Sequence, residues 1–230
     1  MLVEVSTSSI EDIFVINQSG ADQIELCSVR EVIGVTPSLG MFDYAKKNVD
    51  LPIIIMIRPR PGGYNYTDHE FETMLTDIQL FNEKGADGFV FGILNNKNEI
   101  DIRRCKKIID KIGPEKEIVF HKAFDHIQNK DEAMQSLINL GFTRVMTSGG
   151  DGPVIDYMKE LKNLVKKFGE NIEVMPGGGV NIDNIDILKR ELNIKKVHLS
   201  AEHYKFDLTS YIATDQDYLT KFVNRAKNQV

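Results

Sequence analysis

Short β-forming runs alternate with longer stretches of helical periodicity along almost the whole chain. Eight runs are predicted as strands: Leu2–Ser6, Gln23–Cys27, Ile53–Arg58, Gly88–Gly92, Glu117–His121, Thr143–Thr147, Ile172–Met175 and Lys196–Ser200. Eight stretches are predicted as helices: Ser9–Ser19, Ser38–Asn48, Asp68–Lys84, Glu99–Ile112, Lys130–Leu140, Val154–Phe168, Ile182–Leu192 and Asp217–Lys227. Strands that alternate with helices pair in parallel through right-handed crossovers. The pattern therefore predicts the α/β class and a single (β/α)₈ TIM-like barrel, with an open doubly wound sheet as the competing architecture.

The length of the chain and its lack of linkers favour one domain. With 230 residues, the chain is close to the roughly 250 typical of a one-domain barrel. No Pro/Gly/Ser-rich linker divides it, so we expect residues 1–230 to form one TIM-like barrel domain. Three long connections are predicted between strands and helices: Ser28–Pro37, Pro59–Thr67 and Ala201–Thr214. The first two follow the C-terminal ends of strands, where barrel enzymes carry their chemistry.

Composition and charge argue against several classes of partner. The formal net charge is −6 and no long run of Lys or Arg occurs, so nonspecific nucleic-acid binding is not expected. The longest apolar run, Ile53–Ile57, is too short to cross a bilayer, and the N-terminus lacks the pattern of a secretory signal. Cys27 and Cys105 are too few for a disulfide scaffold, which makes a reducing, cytoplasmic setting the expectation. The sequence leaves a homo-oligomeric state open.

Polar side chains share one face of several predicted strands. In strands one, two and eight this face carries Glu4, Ser6, Gln23, Glu25, Cys27, His198 and Ser200. Since successive side chains alternate between faces, the apolar set is expected to pack under the helices and the polar set to point into the barrel. A carboxylate buried there needs a cationic or hydrogen-bonding partner. We expect Arg58 and His121 to be the partners of Glu4 and Glu25.

Two interpretations of this polar interior are open. It is either a buried ion-pair network that only stabilises the barrel, or a functional pocket at the C-terminal ends of the strands. We favour the pocket, with Glu4, Glu25, Arg58, His121 and Asp125 as the candidate catalytic residues. His121, Glu25 and Asp125 are the acid–base candidates in this set, because mutual proximity tunes such groups for proton transfer.

Glycine clusters follow two neighbouring predicted strands. Barrels frequently bind phosphate with the loops after strands seven and eight, where glycine lets backbone N–H groups approach an anion closely. The candidate anion-binding residues are Arg60, Ser148, Gly149, Gly150, Gly177, Gly178, Gly179 and Ser200. The alternative is that these glycines only make sharp turns between strand and helix.

Metal-ligand patterns are weak in this sequence. It contains no Cys-x-x-Cys pair and no His-x-x-x-His pair, which are the local spacings typical of metal sites. Cys105 lies on a predicted helix and is interpreted as structural. Cys27, at a strand end beside Glu25, is the candidate metal ligand or reactive thiol.

An ordered set of motifs spans almost the whole chain. The motifs are Glu25-Leu26-Cys27, Thr36-Pro37-Ser38, Met56-Ile57-Arg58-Pro59-Arg60, Phe120-His121-Lys122-Ala123-Phe124-Asp125, Thr147-Ser148-Gly149, Gly177-Gly178-Gly179 and His198-Leu199-Ser200-Ala201. In this order they resemble the copper homeostasis CutC family. The resemblance implies a TIM-like barrel, a cytoplasmic setting and a role in copper handling. Two residues depart from the family's usual pattern: Ser6 stands where Cys is common, and Lys122 where Arg is usual.

Two functional hypotheses follow from the residues and the resemblance. The first is a protein that binds or buffers Cu(I), with Cys27 as the leading ligand and copper as the expected metal. The second is an enzyme that acts on a small anionic substrate, a phosphorylated one included, by acid–base chemistry at the barrel mouth. No cofactor other than copper is expected under either hypothesis.

Overall fold

The structure is a computed structural model that describes residues 1–228. It consists of eight parallel strands surrounded by helices, followed along the chain by a short hairpin and a last helix. The strands are β1 (Leu2–Thr7), β2 (Gln23–Leu26), β3 (Ile53–Met56), β4 (Gly88–Phe91), β5 (Glu117–Phe120), β6 (Arg144–Thr147), β7 (Glu173–Pro176) and β8 (Lys196–Leu199). The helices are α1 (Ile10–Gln18), α2 (Leu39–Asn48), α3 (Asp68–Glu83), α4 (Ile102–Ile112), α5 (Lys130–Leu140), α6 (Met158–Phe168), α7 (Ile185–Leu192) and α8 (Gln216–Lys227).

The strands form a nearly closed ring. Their order in the sheet is β7-β6-β5-β4-β3-β2-β1-β8, and every hydrogen-bonded pair is parallel. The two end strands, β7 and β8, lie next to each other, which brings the ring to near closure. The predicted (β/α)₈ TIM-like barrel is therefore confirmed.

Two apolar layers pack on opposite faces of the strands. The larger layer lies between strands and helices and contains Val3, Val5, Ile24, Leu26, Val197 and Leu199. The smaller layer comes from inward-facing positions: Cys27, Ile54, Met56, Val90, Val119, Met146 and Met175. The alternation of side chains along each strand accounts for both layers. The inner layer contains three methionines, and its flexible side chains fill the centre of the ring.

Capping side chains fix where several helices begin. Thr67 and Glu70 form a reciprocal capping box at the start of α3. Helix α4 begins at Ile102, three residues later than predicted, because the side chain of Asp101 accepts the N–H of Arg104 and caps the helix there. No helix within residues 1–228 has both the length and the hydrophobicity needed to span a membrane.

The segment after β8 differs from the prediction. A long strand-to-helix connection without strands was predicted over Ala201–Thr214, and the structure has an antiparallel hairpin there, formed by β9 (Glu202–Asp207) and β10 (Thr209–Thr214). Leu208 forms the turn with φ +60°, a conformation normally taken by Gly or Asn, so the usual turn signal is missing from the sequence. The outer part of the hairpin is exposed, with Phe206 80% and Leu208 90% accessible.

Candidate functional site

A cavity of about 410 Å³ opens at the C-terminal ends of the barrel strands. Several residues predicted to point inward or to follow strand ends line it: Ser6, Glu25, Cys27, Arg58, His121, His198 and Ser200. The wall is extended by Arg30, Tyr64, Lys122, Gly178, Gly179, Val180 and Glu202, among others. We call this space the mouth cavity. It lies where βα loops build the active sites of barrel enzymes.

A buried ionic network lies at the opposite, N-terminal end of the ring. Arg144, on β6, pairs with Glu4 at 3.3 Å, with Glu117 at 2.8 Å and with Glu173 at 2.6 Å. The Nζ atom of Lys196 donates to Oε1 of Gln23 over 2.7 Å. The prediction that Arg58 and His121 are the partners of Glu4 was therefore wrong. Arg144 shares its strand face with Met146, and this parity is the sequence signal that would have placed it inside the barrel.

Glu4 connects this network to the floor of the mouth cavity. Its Oε1 atom lies 2.8 Å from Nδ1 of His198, and the same nitrogen lies 3.8 Å from Oε2 of Glu25. Burial alone would favour the neutral acid, but His198, Arg144 and Lys196 together hold the pKa of Glu4 below its ordinary value. Burial also disfavours the charged imidazole, yet Glu25 and Glu4 outweigh it and raise the pKa of His198. The pair therefore favours a carboxylate beside an imidazolium.

Glu25 differs from Glu4 because Nδ1 of His198 lies 3.8 Å from its Oε2 atom, which is beyond hydrogen-bond distance. Burial raises its pKa to about 7, an effect opposed by the charge of His198 and reinforced by that of Glu4. Its Oε2 atom is buried and has no hydrogen-bond partner among the described residues. A carboxyl group with this pKa is populated in both protonation states near neutral pH. Glu25 is therefore suited to accept and return a proton.

Glu4, Glu25 and His198 also meet the geometric requirement for a metal site, since their ligand atoms lie within 4.8 Å of one another. Carboxylate oxygens suit hard cations rather than Cu(I), which prefers sulfur. However, His198 and Glu4 already hydrogen-bond each other and Glu4 is paired with Arg144. The contacts of the three residues are thus accounted for by the hydrogen-bonded Glu4–His198 pair with Glu25 beside it.

His121 lies on another wall of the mouth cavity, directly after β5. Its Nδ1 accepts the N–H of Ala123 over 3.2 Å, so the proton of the neutral ring is on Nε2. Burial, together with the charges of Arg58 and His126, lowers the pKa of His121 to about 3. Its Nε2 atom is buried without a partner within residues 1–228. The ring of Tyr64 packs on the imidazole at a centroid distance of 4.8 Å and fixes its orientation.

Two arginines predicted for the site are already occupied by the protein. The guanidinium of Arg58 lines the cavity, but its NH1 donates to the carbonyls of Val32 and Gly34, both over 2.7 Å, and its NH2 to that of Gly62. Arg58 thus joins the loops that follow β2 and β3. Arg60 lies outside the cavity lining, where it pairs with Glu70 at 2.6 Å.

Asp125 and Ser148 lie behind the cavity wall, and neither lines the cavity itself. Asp125 accepts from the hydroxyl of Thr147, from the backbone N–H and the hydroxyl of Ser148, and from Nζ of Lys122 at 2.8 Å. These bonds occupy its carboxylate oxygens. The structure therefore places Asp125 as a residue that positions Lys122 and the loop after β6.

The structure does not bring the predicted anion-binding residues together at one place. Gly178, Gly179 and Ser200 line the mouth cavity, and the hydroxyl of Ser200 lies 2.7 Å from that of Ser6. Gly149 and Gly150 line a separate surface depression beside α5 and α6. Gly177 lines neither, because it packs against the side chain of Met146.

Three sulfur-containing side chains lie at the mouth cavity. Cys27, Met56 and Met146 all line the cavity, and thiol and thioether groups are the ligand types that Cu(I) prefers. Burial raises the pKa of the Cys27 thiol far above its usual range, and the thiol donates to the carbonyl of Thr7 over 3.4 Å. At the end of β1, Ser6 supplies a hydroxyl rather than a second thiol. The donor set therefore does not fit a two-thiolate copper site.

Residues 1–203 match the CutC family. The chain is 38% identical to a family protein CutC of Treponema denticola over 86% of this chain and 80% of that protein. It is also 38% identical to the human copper homeostasis protein cutC homolog, over 87% of this chain and 73% of the relative. The chain belongs to the CutC family.

Solved structures agree with this membership. The crystal structure of the putative copper homeostasis protein CutC from Streptococcus agalactiae superposes with a TM-score of 0.82 at 32% identity, over 86% of this chain and 97% of that one. A phosphoribosylanthranilate isomerase from Thermotoga maritima gives a TM-score of 0.63 at 13% identity, over 99% and 98% of the two chains. The second likeness shows that this CutC family member shares the barrel fold with more distant proteins.

Proposed function

We propose that this CutC family member is an enzyme that moves a proton on a small anionic substrate held in the mouth cavity. One observation carries the proposal. Glu25 and His121 both line the cavity, and each carries a buried polar atom without a hydrogen-bond partner in the described part of the chain: the acceptor Oε2 of Glu25 and the donor Nε2 of His121. Buried polar groups are normally hydrogen-bonded, so two unpartnered atoms on residues of one cavity wall support a ligand that completes them.

Glu25 is assigned as the base that takes the proton. A pKa of about 7 suits this role, because a general base works best when its pKa is close to the operating pH. The neighbouring Glu4–His198 pair lies against Glu25 and sets the charge around it. When Glu25 becomes protonated, the repulsion between its charge and that of Glu4 is removed. The two members of the pair act in opposite directions, since the charge of His198 lowers the pKa of Glu25 and that of Glu4 raises it.

His121 is assigned as the donor to the oxygen on which negative charge develops. Its lowered pKa keeps the ring neutral, so it donates the Nε2 hydrogen without first having to lose a proton. A preorganised donor in a buried site stabilises developing charge more strongly than water does. Lys122 adds a positive charge to the same cavity, which favours an anionic substrate. Together these groups fit the removal of a proton next to a carbonyl group.

The test is the exchange of solvent deuterium into small carbonyl compounds. Phosphorylated and carboxylated carbonyl compounds are incubated with the protein in D₂O, and loss of a carbon-bound proton is followed by NMR. Wild type is expected to accelerate exchange in at least one compound. Glu25→Gln and His121→Gln should each lower the rate by roughly 10²- to 10⁴-fold, the usual contribution of general acid–base catalysis.

The matched control is Glu72→Gln, which makes the same chemical change on the exposed surface of α3. It is expected to exchange at the wild-type rate. Equal rates for wild type and Glu25→Gln would contradict the assignment of the base. Absence of exchange in every compound would overturn the proposed reaction.

A role in copper handling is the second candidate. Relatives in this family carry the name copper homeostasis protein. In this chain, one observation favours Cu(I) binding: Cys27, Met56 and Met146 contribute one thiol and two thioethers to the lining of the same cavity. The raised pKa of Cys27 makes its deprotonation unfavourable, so the neutral thioethers would supply much of the affinity.

Competition with a Cu(I) chelator of known affinity tests this candidate. Cys27→Ser and a Met56→Leu/Met146→Leu double variant should both weaken binding. Cys105→Ser is the matched control, since Cys105 is the other buried free cysteine and lies in the layer between strands and helices. If no copper binding is measurable, or if Cys27→Ser and Cys105→Ser bind equally, the copper candidate fails.

A further inference from the structure

The loop after β7 is held so that its carbonyl groups face away from the mouth cavity. The carbonyl of Gly178 accepts the N–H of Val154 over 2.9 Å. The carbonyl of Gly179 accepts from the side-chain amides of Asn184, over 2.8 Å, and Asn181, over 3.1 Å. These three donors lie outside the cavity lining.

The geometry of the peptide bond then fixes the direction of two N–H groups. In a planar trans peptide the N–H of one residue points opposite to the carbonyl of the residue before it. The N–H groups of Gly179 and Val180 therefore point away from those outer partners, and both residues line the mouth cavity. Neither N–H donates a hydrogen bond within the described part of the chain. Two consecutive donors thus face the cavity without partners.

Lys122 brings a positive charge next to this loop. A Cβ atom at Gly178 would lie only 2.7 Å from Nζ of Lys122, so the ammonium group packs directly on the glycine. The ammonium carries three hydrogens, and two are used on Asp125, at 2.8 Å, and on Ser148, at 2.7 Å. The third remains for a ligand. Asp125 therefore positions a cation that still has one free donor.

The chemistry of these donors distinguishes between kinds of anion. Carboxylates are commonly recognised by the two-pronged fork of an arginine. Arg58 and Arg30 both line the cavity, but the terminal nitrogens of each already donate to protein groups. The Nε atom of each arginine has no partner among the described residues, but a single N–H does not form the two-pronged fork. The ammonium group and the successive backbone N–H groups suit the several oxygens of a tetrahedral anion.

We propose that Lys122 and the N–H groups of Gly179 and Val180 bind the phosphate group of a phosphate-monoester substrate. This inference rests on the proposed enzymatic function and names the class of its substrate. The phosphate lies at the side of the mouth cavity formed by the loops after β5 and β7. Glu25 and His121 then act on the part of the substrate that extends into the rest of the cavity.

Inorganic phosphate is the probe for this subsite. Backbone amide shifts of ¹⁵N-labelled protein are followed by NMR as phosphate, sulfate or acetate is added at constant ionic strength. Phosphate and sulfate are expected to give saturable shifts at Gly179 and Val180, and acetate much weaker ones. Absence of saturable phosphate shifts at both residues overturns the proposal, and so does an equal or tighter response to acetate.

Two pairs of variants separate binding from folding. Lys122→Met is expected to weaken phosphate binding by about tenfold or more, the scale of a lost hydrogen bond to a charged group. Lys122→Arg keeps the positive charge and should retain most of the affinity for phosphate. Gly178→Ala places a methyl group against the ammonium of Lys122. Gly113→Ala is the control, because it also places alanine at a positive φ, but no atom lies within 4 Å of the added methyl group. Gly178→Ala should weaken binding and Gly113→Ala should not. Equal affinities within both pairs would overturn the assigned donors.

Failure of the subsite and failure of the proposed reaction are distinguishable. Glu25→Gln is expected to bind inorganic phosphate as wild type does while losing proton exchange. Phosphate binding that persists without any exchange activity would leave the subsite supported and the proton-transfer function refuted. Exchange in carboxylated compounds only, with no response to phosphate, would refute the subsite alone.

Discussion

Replacing Arg144 with methionine removes the cation that connects the floor of the mouth cavity to the base of the barrel. Arg144 is 4% exposed and the side chain of Glu4 2% exposed, so the carboxylate of Glu4 would lose a charged partner inside the barrel. Breaking a buried ion pair by removing one partner typically costs about 3–5 kcal/mol. For a chain of this size, that corresponds to a fall in Tm of roughly 6–20 °C.

Urea unfolding followed by circular dichroism measures this cost. Arg144→Met should lower the free energy of unfolding by the stated amount at pH 7. The matched control is Arg225→Met, which removes an arginine from an exposed ion pair with Asp186 and should change stability much less. If the two variants are equally stable, Arg144 does not compensate a buried charge.

A double-mutant cycle identifies the source of the loss. If the penalty comes mainly from the uncompensated carboxylate of Glu4, then Arg144→Met should cost much less in a Glu4→Gln background. The coupling energy is expected to be between about 0.5 and 3 kcal/mol, as for contacting residues in one network. A cost that is the same in both backgrounds would refute the reasoning, because Glu117 and Glu173 would then account for the effect of Arg144.

Three further predictions concern the barrel interior. The lowered pKa of His121 should make the free energy of unfolding decrease as the pH falls from about 6.5 towards 3. Between these pH values the imidazole binds a proton in the unfolded chain but not in the folded one, so the loss is up to about 1.4 kcal/mol per pH unit. Urea titrations of wild type and His121→Gln at several pH values check this, and parallel pH profiles would contradict it. Cys27 and Cys105 should react with a thiol reagent at pH 8 no faster than the protein unfolds, because burial raises the pKa of both thiols, and a fast phase in native protein would disprove this. Gly88→Ala should destabilise the barrel by about 1–3 kcal/mol, since a Cβ atom there lies 2.6 Å from a backbone carbonyl, and wild-type stability in thermal unfolding would argue otherwise.

Strand parity predicted much of the barrel and of its polar interior from sequence. The alternation of polar and apolar residues placed Glu4, Glu25, Cys27 and His198 inside the ring, where the structure has them. This works because the side-chain period of a strand is fixed by backbone geometry and does not depend on distant contacts. These side chains could therefore be assigned to the barrel interior from the sequence alone.

The pairing of charges was harder to predict, since it depends on how strands are staggered around the ring. Arg144 meets Glu4 although 140 positions separate them in the chain. Arg58 was the more obvious cation near the cavity, but it donates to loop carbonyls whose positions follow from no local pattern. The free N–H groups at Gly179 and Val180 were equally hidden, because their direction depends on where Asn184 and Val154 lie.

The ionisation of Glu25 tests the central claim most directly, because the claim requires a buried carboxyl group at the mouth cavity whose Oε2 atom has no hydrogen-bond partner among the described residues. NMR of protein carrying ¹³C-labelled glutamate reports each carboxyl group as the pH is varied. One resonance should titrate near pH 7 and be missing from Glu25→Gln. If Glu25 instead titrates at or below the ordinary glutamate value of 4.5, the carboxyl group is solvated or paired and the proposed acid–base site is contradicted.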